Sequence, residues 1–235
     1  MNKPKLYLIP CPIAEETAQR VLPQEVITAV LACKFFLVEN VRTARRFISG
    51  LKLGIDINSL TFELLTQDSK RQEIIPFFDH IKKGENIGVI SEAGCPGVAD
   101  PGALAVEIAH QLEIEVVPLV GPSSILLALM GSGMNGQSFA FNGYIPIKNP
   151  ERDIFIKKLE TLALKNNQAQ LFIETPYRNE NIFAGLLQSL QKSTKLCVAL
   201  NLSAENQYIK TKTVQDWAKT KVDFHKNPCI FIIGK

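Results

Sequence analysis

The 235-residue chain predicts an α/β fold in two domains, a mostly parallel N-terminal sheet over residues 1–120 and a mixed α/β domain over residues 121–235. Three observations predict it. Short apolar runs of β character alternate with helical stretches, the pattern of a parallel sheet covered by helices on both faces. One run, Ile87-Gly88-Val89-Ile90, is apolar throughout, as a strand buried on both faces must be. At Gly121-Pro122-Ser123-Ser124 the alternation is punctuated, and beyond it the texture of the chain changes.

The elements follow in order. Residues 6–9 read as the first strand, stopped by Pro10. Residues 21–32 carry a helical apolar pattern through Val26, Ile27, Val30 and Leu31. Residues 35–38 are the second strand, residues 43–51 a basic amphipathic helix and residues 60–65 a third strand. A helix over 72–81, the apolar strand 87–90, a helix over 103–112 and a strand at 116–119 complete the first half. In the second half Ser123 and Ser124 suit the cap of a helix over 125–130. Further strands are expected at 139–141, 170–173, 196–200, 208–213 and 230–233, with helices over 151–164 and 179–191 and some antiparallel pairing.

Composition narrows the function classes. Hydrophobic residues make up 46% and charged residues 21%, so a core forms without disulfides or metal to hold it. The 26 Lys and Arg against 23 Asp and Glu give a net charge of +3, which permits an RNA partner without demanding one. Cys11, Cys33, Cys95, Cys197 and Cys229 are widely spaced with no C-x-x-C, which argues against a disulfide framework or zinc site and for a reducing compartment. His80, His110 and His225 are isolated, so no metal site is expected. No signal peptide is read at the start, and the longest apolar run, residues 125–130, is far short of the about 20 residues of a membrane span. The expectation is a soluble cytoplasmic protein.

The most informative stretch is residues 91–102, Ser-Glu-Ala-Gly-Cys-Pro-Gly-Val-Ala-Asp-Pro-Gly, between a buried strand and a helix. Ligands of open α/β sheets sit outside the carboxyl ends of the strands. Its glycines and prolines suit a rigid loop that lets backbone approach a ligand, and equally an ordinary strand-to-helix connection. Pro10-Cys11-Pro12 ends strand one and offers a second wall. Gly121-Pro122-Ser123-Ser124 joins a turn to a helix start, where free N–H groups favour an anion; the serines suit plain caps as well. Glu174-Thr175-Pro176-Tyr177-Arg178 lies at another strand end, and Arg42, Arg45 and Arg46 form a basic cluster suited to phosphate or to a solvated helix face. The chain has no G-x-G-x-x-G, no Walker A and no G-x-S-x-G, which removes the usual dinucleotide, nucleotide-triphosphate and serine-hydrolase signatures.

In sequence order these pieces read P-x-P, E-N-x-R-T-x-R, S-E-A-G-C-P-G-V-A-D-P-G, G-P-S-S, N-G-Y-I-P-x-K and F-I-E-T-P-Y-R. The set resembles the tetrapyrrole-methylase superfamily of S-adenosylmethionine-dependent methyltransferases. Within that superfamily it is most similar to the branch that methylates a ribose 2′-hydroxyl of small-subunit ribosomal RNA. The resemblance spans about residues 5 to 180. It implies a homodimer of two-domain chains with S-adenosylmethionine in the interdomain cleft. It assigns cofactor contacts to Cys11, Pro12, Glu92, Ala93, Gly94, Cys95, Pro96, Val98, Ala99, Asp100, Ser123 and Ser124, with Ile173 and Glu174 on the second domain.

The chain departs from the branch at several points. The P-T-P-I-G-N segment is Pro10-Cys11-Pro12-Ile13-Ala14-Glu15, the E-D-T-R carboxylate is Asn40, and the histidine of E-[ST]-P-H-R is Tyr177. The R-E-L-T-K pattern is replaced near Asn201-Leu202-Ser203-Ala204. Glu39 and Glu92 are candidate bases, and Arg42, Arg45, Tyr177 and Arg178 candidate substrate contacts. Small ribosomal subunits are the expected partner, with no metal and no membrane. The competing expectations are a methyltransferase for a tetrapyrrole or other small molecule, and a cofactor-binding homologue without catalysis.

Overall fold

The structure, a computed structural model, describes residues 3–235. The chain divides into two compact units, Met1–Ser123 and Ser124–Lys235. In the first, strands β1 (Lys5–Ile9), β2 (Cys33–Val38), β3 (Thr61–Leu64), β4 (Asn86–Ile90) and β5 (Glu115–Pro118) form one sheet in the order β3-β2-β4-β1-β5. Every pairing is parallel. The apolar run at 87–90 falls in the central strand, where Ile87, Val89 and Ile90 are buried. Pro118, which cannot donate to a ladder, is in an edge strand.

Alternation along the strands sends side chains to two cores. Leu6, Leu37, Ile87 and Val89 pack with Phe78, Ala105 and Ile108 on one face. Ile9, Phe36, Val38 and Ile90 pack with Val26, Val30 and Ile48 on the other. The covering helices are α1 (Ala18–Val21), α2 (Gln24–Leu31), α3 (Val41–Gly50), α4 (Arg71–Ile74), α5 (Asp79–Lys82) and α6 (Gly102–Gln111).

Two expected helices are interrupted, each by a proline. The pattern over 21–32 splits at Leu22-Pro23, because Pro23 takes an extended ψ of 160° and restarts the chain as the N-cap of α2. The pattern over 72–81 becomes α4, a 3-10 turn at Ile75–Phe78 and α5, with Pro76 supplying no N–H to continue the ladder. His80 is structural, its ring stacked on Phe35 at 3.6 Å.

The second unit carries the mixed sheet. Strands β6 (Phe139–Tyr144), β7 (Ala169–Glu174), β8 (Lys195–Leu200), β9 (Tyr208–Thr213) and β10 (Cys229–Gly234) stand in the order β6-β7-β10-β8-β9. β6 and β7 are parallel and the other pairs antiparallel. The helices are α7 (Ser124–Ser132), α8 (Glu151–Asn166), α9 (Asn179–Ser189) and α10 (Val214–Trp217). Ser124 is the first residue of α7 rather than a residue ahead of it, and the helix runs on to Ser132. Trp217, Phe172, Phe231, Leu186 and Leu196 form the centre of this core. No helix among the described residues is long and apolar enough to cross a membrane.

Candidate functional site

The strand order of the first sheet brings four loops to one edge, because parallel strands put all their carboxyl ends on the same side. The loop after β1 and the loop after β4 are joined by a two-way backbone bridge. Cys11 N–H donates to the Gly94 carbonyl at 2.8 Å, and Gly94 N–H to the Cys11 carbonyl at 3.0 Å. The loop after β5 is tied in by Leu119 N–H to the Leu8 carbonyl at 3.2 Å and by the Cys95 thiol to the Pro122 carbonyl at 3.4 Å. Gly121 lies against Pro10 so closely that a Cβ there would sit 2.2 Å from the proline Cβ. The loop after β2 joins through Glu39, whose Oε2 accepts the Glu92 N–H at 2.8 Å. Thr43 of α3 donates its hydroxyl to Glu92 Oε1 at 3.1 Å.

The distal part of the long loop is folded on Asp100. Its Oδ1 accepts the N–H groups of Gly97 and Gly102, closing the loop onto the start of α6. Oδ2 is buried and carries no hydrogen bond. Burial raises the Asp100 pKa against the opposing pull of those two amides and of the Ser91 hydroxyl. Burial also raises the Glu39 pKa, opposed by the Glu92 amide and reinforced by the charges of Asp100 and Glu92. Three carboxylates therefore share one loop cluster. Burial, with Glu39 nearby, pushes the Cys11 thiol up to about 12, and burial also raises Cys95. Neither is a ready thiolate nucleophile at neutral pH.

Beside this cluster opens a cavity of about 580 Å³. Residues 11–16, the Thr43, Arg46, Phe47 and Gly50 face of α3, and Ser91, Glu92 and Ala93 line it. Asn40 holds that helix in place as its N-cap, its side-chain oxygen accepting from Arg42 N–H at 2.9 Å and Thr43 N–H at 3.3 Å. An amide oxygen caps as well as a carboxylate, so the Asn40 departure leaves the local structure intact.

Of the residues expected at a cofactor site, Cys11, Pro12, Glu92 and Ala93 line this cavity. Gly94 and Cys95 make the cross-loop bonds, and Asp100 organises the following turn with Ala99 in a left-handed conformation at φ 62°. Pro96 and Val98 belong to the same loop, Val98 half exposed, and Ser123 closes the unit. Of the candidate bases, Glu39 is partly buried and Glu92 exposed.

The arginine cluster divides. Arg45 turns to Asn58, donating at 2.8 Å, with its guanidinium 5.9 Å above the Phe62 ring of β3. Arg42 is exposed at the start of α3, and Arg46 is the one that lines the cavity. Arg46 belongs to the basic cluster read from the sequence, whereas Phe47, Glu15 and Glu16 carry no motif that marks them as site residues. The spacing Thr43, Arg46, Phe47, Gly50, one face of a helix, is the signal that marks this wall.

In the second unit Ile173 and Glu174 end β7, and Ser124 begins α7. The Glu174 side chain is fully buried, paired with Arg178 at 3.0 Å and bonded to the Thr175 N–H at 2.7 Å. Its Oε2 is buried without a hydrogen bond. Glu174 and Arg178 line an open cavity of about 730 Å³ with Tyr144, Ile147 and Lys148. Tyr177, 86% exposed, is not among its lining residues. Among the described residues no three His, Cys, Asp or Glu side chains are grouped to hold a metal.

No family model matches the chain. It is 30% identical over 202 residues to a protein of Vibrio cholerae serotype O1, covering 85% of this chain and 65% of that protein. It is 29% identical over 237 residues to one of Mesorhizobium japonicum (99% and 76%) and 23% identical over 231 residues to one of Buchnera aphidicola subsp. Acyrthosiphon pisum (97% and 78%). All three are named ribosomal RNA small subunit methyltransferase I. The chain thus spans 65 to 78% of the length of these curated relatives.

Among solved structures, the methyltransferase CobJ superposes with a TM-score of 0.64 at 15% identity, covering 99% of this chain and 94% of that one. A uroporphyrin-III-C-methyltransferase of Thermus thermophilus superposes with a TM-score of 0.55 at 14% identity, covering 100% and 93%. These likenesses are likenesses of fold.

Proposed function

We propose that this chain, a methyltransferase of the tetrapyrrole-methylase superfamily, transfers the methyl group of S-adenosylmethionine to a ribose 2′-hydroxyl of small-subunit ribosomal RNA. The observation that carries this reading is similarity along 99% of the chain to a protein named for small-subunit ribosomal RNA methylation. The loop cluster supports it. The donor fits the residues present, since carboxylates and exposed loop backbone suit a cationic nucleoside, and Asp100 is a half-buried carboxylate in the same loop cluster. S-adenosylmethionine brings a methyl group already activated on a sulfonium.

The protein's part is positioning. In this reading the loop over residues 92–100 holds the donor by its backbone, and the carboxylates of Glu39, Glu92 and Asp100 complement its positive charge. Holding donor and acceptor in line at roughly 3–3.5 Å supplies most of the acceleration such a displacement needs. In this reading Glu39 receives the hydroxyl proton. Its raised pKa makes it a stronger base than an ordinary carboxylate, and the Glu92 amide fixes Oε2, leaving Oε1 for the proton. The same resemblance supports a homodimer.

The test is transfer of labelled methyl from S-adenosylmethionine to small ribosomal subunits lacking the modification, followed by mapping. Label on a single ribose 2′-oxygen supports the reading. A chain that binds S-adenosylhomocysteine by calorimetry and labels no RNA refutes the assigned substrate.

The raised carboxylates predict a pH dependence. Lowering the pH protonates Glu39 and Asp100 earlier than their ordinary values of 4.5 and 3.8 require, which removes negative charge facing the sulfonium. The affinity for S-adenosylmethionine relative to neutral S-adenosylhomocysteine is therefore expected to fall on acidification, beginning above pH 4.5. Calorimetry with both ligands across that range reads the ratio, and a constant ratio contradicts the placement of the sulfonium. The effect on folding has the opposite sign. Groups whose folded pKa is raised contribute stability below the ordinary value and lose it as pH rises through the raised one.

A further inference from the structure

We infer that the cavity between residues 11–16 and α3 receives one ribonucleotide drawn out of the RNA strand, with Arg46 as its phosphate ligand and Phe47 as its aromatic wall. The inference deepens the ribosomal RNA reading and rests on it. A 2′-hydroxyl in stacked or paired RNA is walled in by its neighbours, and a protein that works on one nucleotide gains access by splaying it into a pocket. At about 580 Å³ the cavity lies within the roughly 300–1,000 Å³ range of small-molecule sites. It shares Ser91, Glu92 and Ala93 with the start of the cofactor loop, so a nucleotide there has its ribose beside the proposed donor. Glu92 is itself bonded to Glu39, the proposed base.

The lining sorts the parts of a nucleotide. A guanidinium binds phosphate by two parallel hydrogen bonds, and an aromatic face stacks a base. Glu15 and Glu16 line the same cavity; carboxylates reject phosphate and accept the amino groups of a base edge. Ala14 and Glu15 stand where the resembled branch has Gly-Asn, so Glu15 brings a carboxylate to this end of the cavity in place of an amide.

Two substitutions test the pocket without disturbing the loop cluster. A Cβ on Gly50 would meet nothing within 4 Å, so Gly50→Trp fills open space. Arg46→Glu reverses one exposed charge. Lys83→Glu, an exposed reversal following α5 near the opposite end of the sheet, is the control.

With unmodified small subunits as acceptor, Arg46→Glu is expected to raise KM for RNA about tenfold, the size of one charge-assisted hydrogen bond. It should also lower the salt slope of RNA binding by about one. Gly50→Trp is expected to cut methyl transfer at least about tenfold, as loss of a substrate pocket does. Both should keep wild-type affinity for S-adenosylhomocysteine and wild-type thermal unfolding, and Lys83→Glu should keep wild-type KM. Wild-type KM in both variants overturns the nucleotide pocket and leaves the RNA reading standing. Parallel loss of S-adenosylhomocysteine binding overturns it too, by giving the cavity to the donor. A wild-type protein that binds S-adenosylhomocysteine and labels no RNA brings down the RNA reading, and the pocket with it.

Discussion

Gly102→Ala is expected to weaken S-adenosylhomocysteine binding at least about tenfold and to lower the melting temperature, although alanine in a helix normally adds stability. Gly102 is the first residue of α6, and a Cβ there would lie 2.7 Å from the Gly97 nitrogen and 3.0 Å from Asp100 Oδ1. The obstacle is backbone, so the loop itself must move. Movement breaks the pair of hydrogen bonds by which Asp100 Oδ1 holds Gly97 and Gly102. Each hydrogen bond to a charged group contributes about 1.5–3 kcal/mol. For a chain of this size each kcal/mol lost lowers the melting temperature by about 2–4 °C. Calorimetry with S-adenosylhomocysteine and a thermal melt decide the matter. Unchanged affinity with a higher melting temperature removes the Asp100 turn from the donor site.

Trp217→Ala is expected to destabilise the C-terminal unit by about 3–5 kcal/mol. Trp217 is fully buried, donates its indole N–H to the Leu196 carbonyl at 2.7 Å and meets Phe183 edge to face at 5.6 Å. It ends a helix of only four residues, too short to stand by its own hydrogen bonds, so packing of this ring holds the helix to the sheet. Truncation leaves a cavity and removes the indole's hydrogen bond to the Leu196 carbonyl. Trp217→Phe keeps most of the ring and is expected to recover most of the loss. The residue is the sole tryptophan, so unfolding in denaturant is followed by far-ultraviolet circular dichroism rather than fluorescence. A loss under about 1 kcal/mol in the alanine variant contradicts the packing described.

The strands were legible because burial on both faces writes itself as continuous apolar sequence, as at residues 87–90, or as alternation that feeds two cores, as with Phe36 and Leu37. Helix interruptions were less so. Pro23 and Pro76 lie inside patterns that remain helical in period, and the missing N–H broke the helix where apolar spacing carried on. The Arg42, Arg45 and Arg46 cluster read as one basic feature, yet successive helical residues point about 100° apart. Arg45 went to Asn58 and Phe62 and Arg46 to the cavity. The bond between Glu39 and Glu92 and the bridge between Cys11 and Gly94 had no local signal, since their partners are far apart in the chain.

By itself the amino-acid sequence determined which segments are strands and where the longer helices run, and where glycine and proline make rigid turns, because those choices follow from local sterics and from the period of apolar side chains. Tertiary structure alone decided the order β3-β2-β4-β1-β5, which sets β1 beside β4 and so lays the Cys11 and Gly94 loops edge to edge. Apolar periodicity says which faces of a strand are buried and is silent about which strand lies next to it; that neighbour is chosen by how all the helices and strands pack at once, and the candidate site exists only where that choice brings the loop ends together.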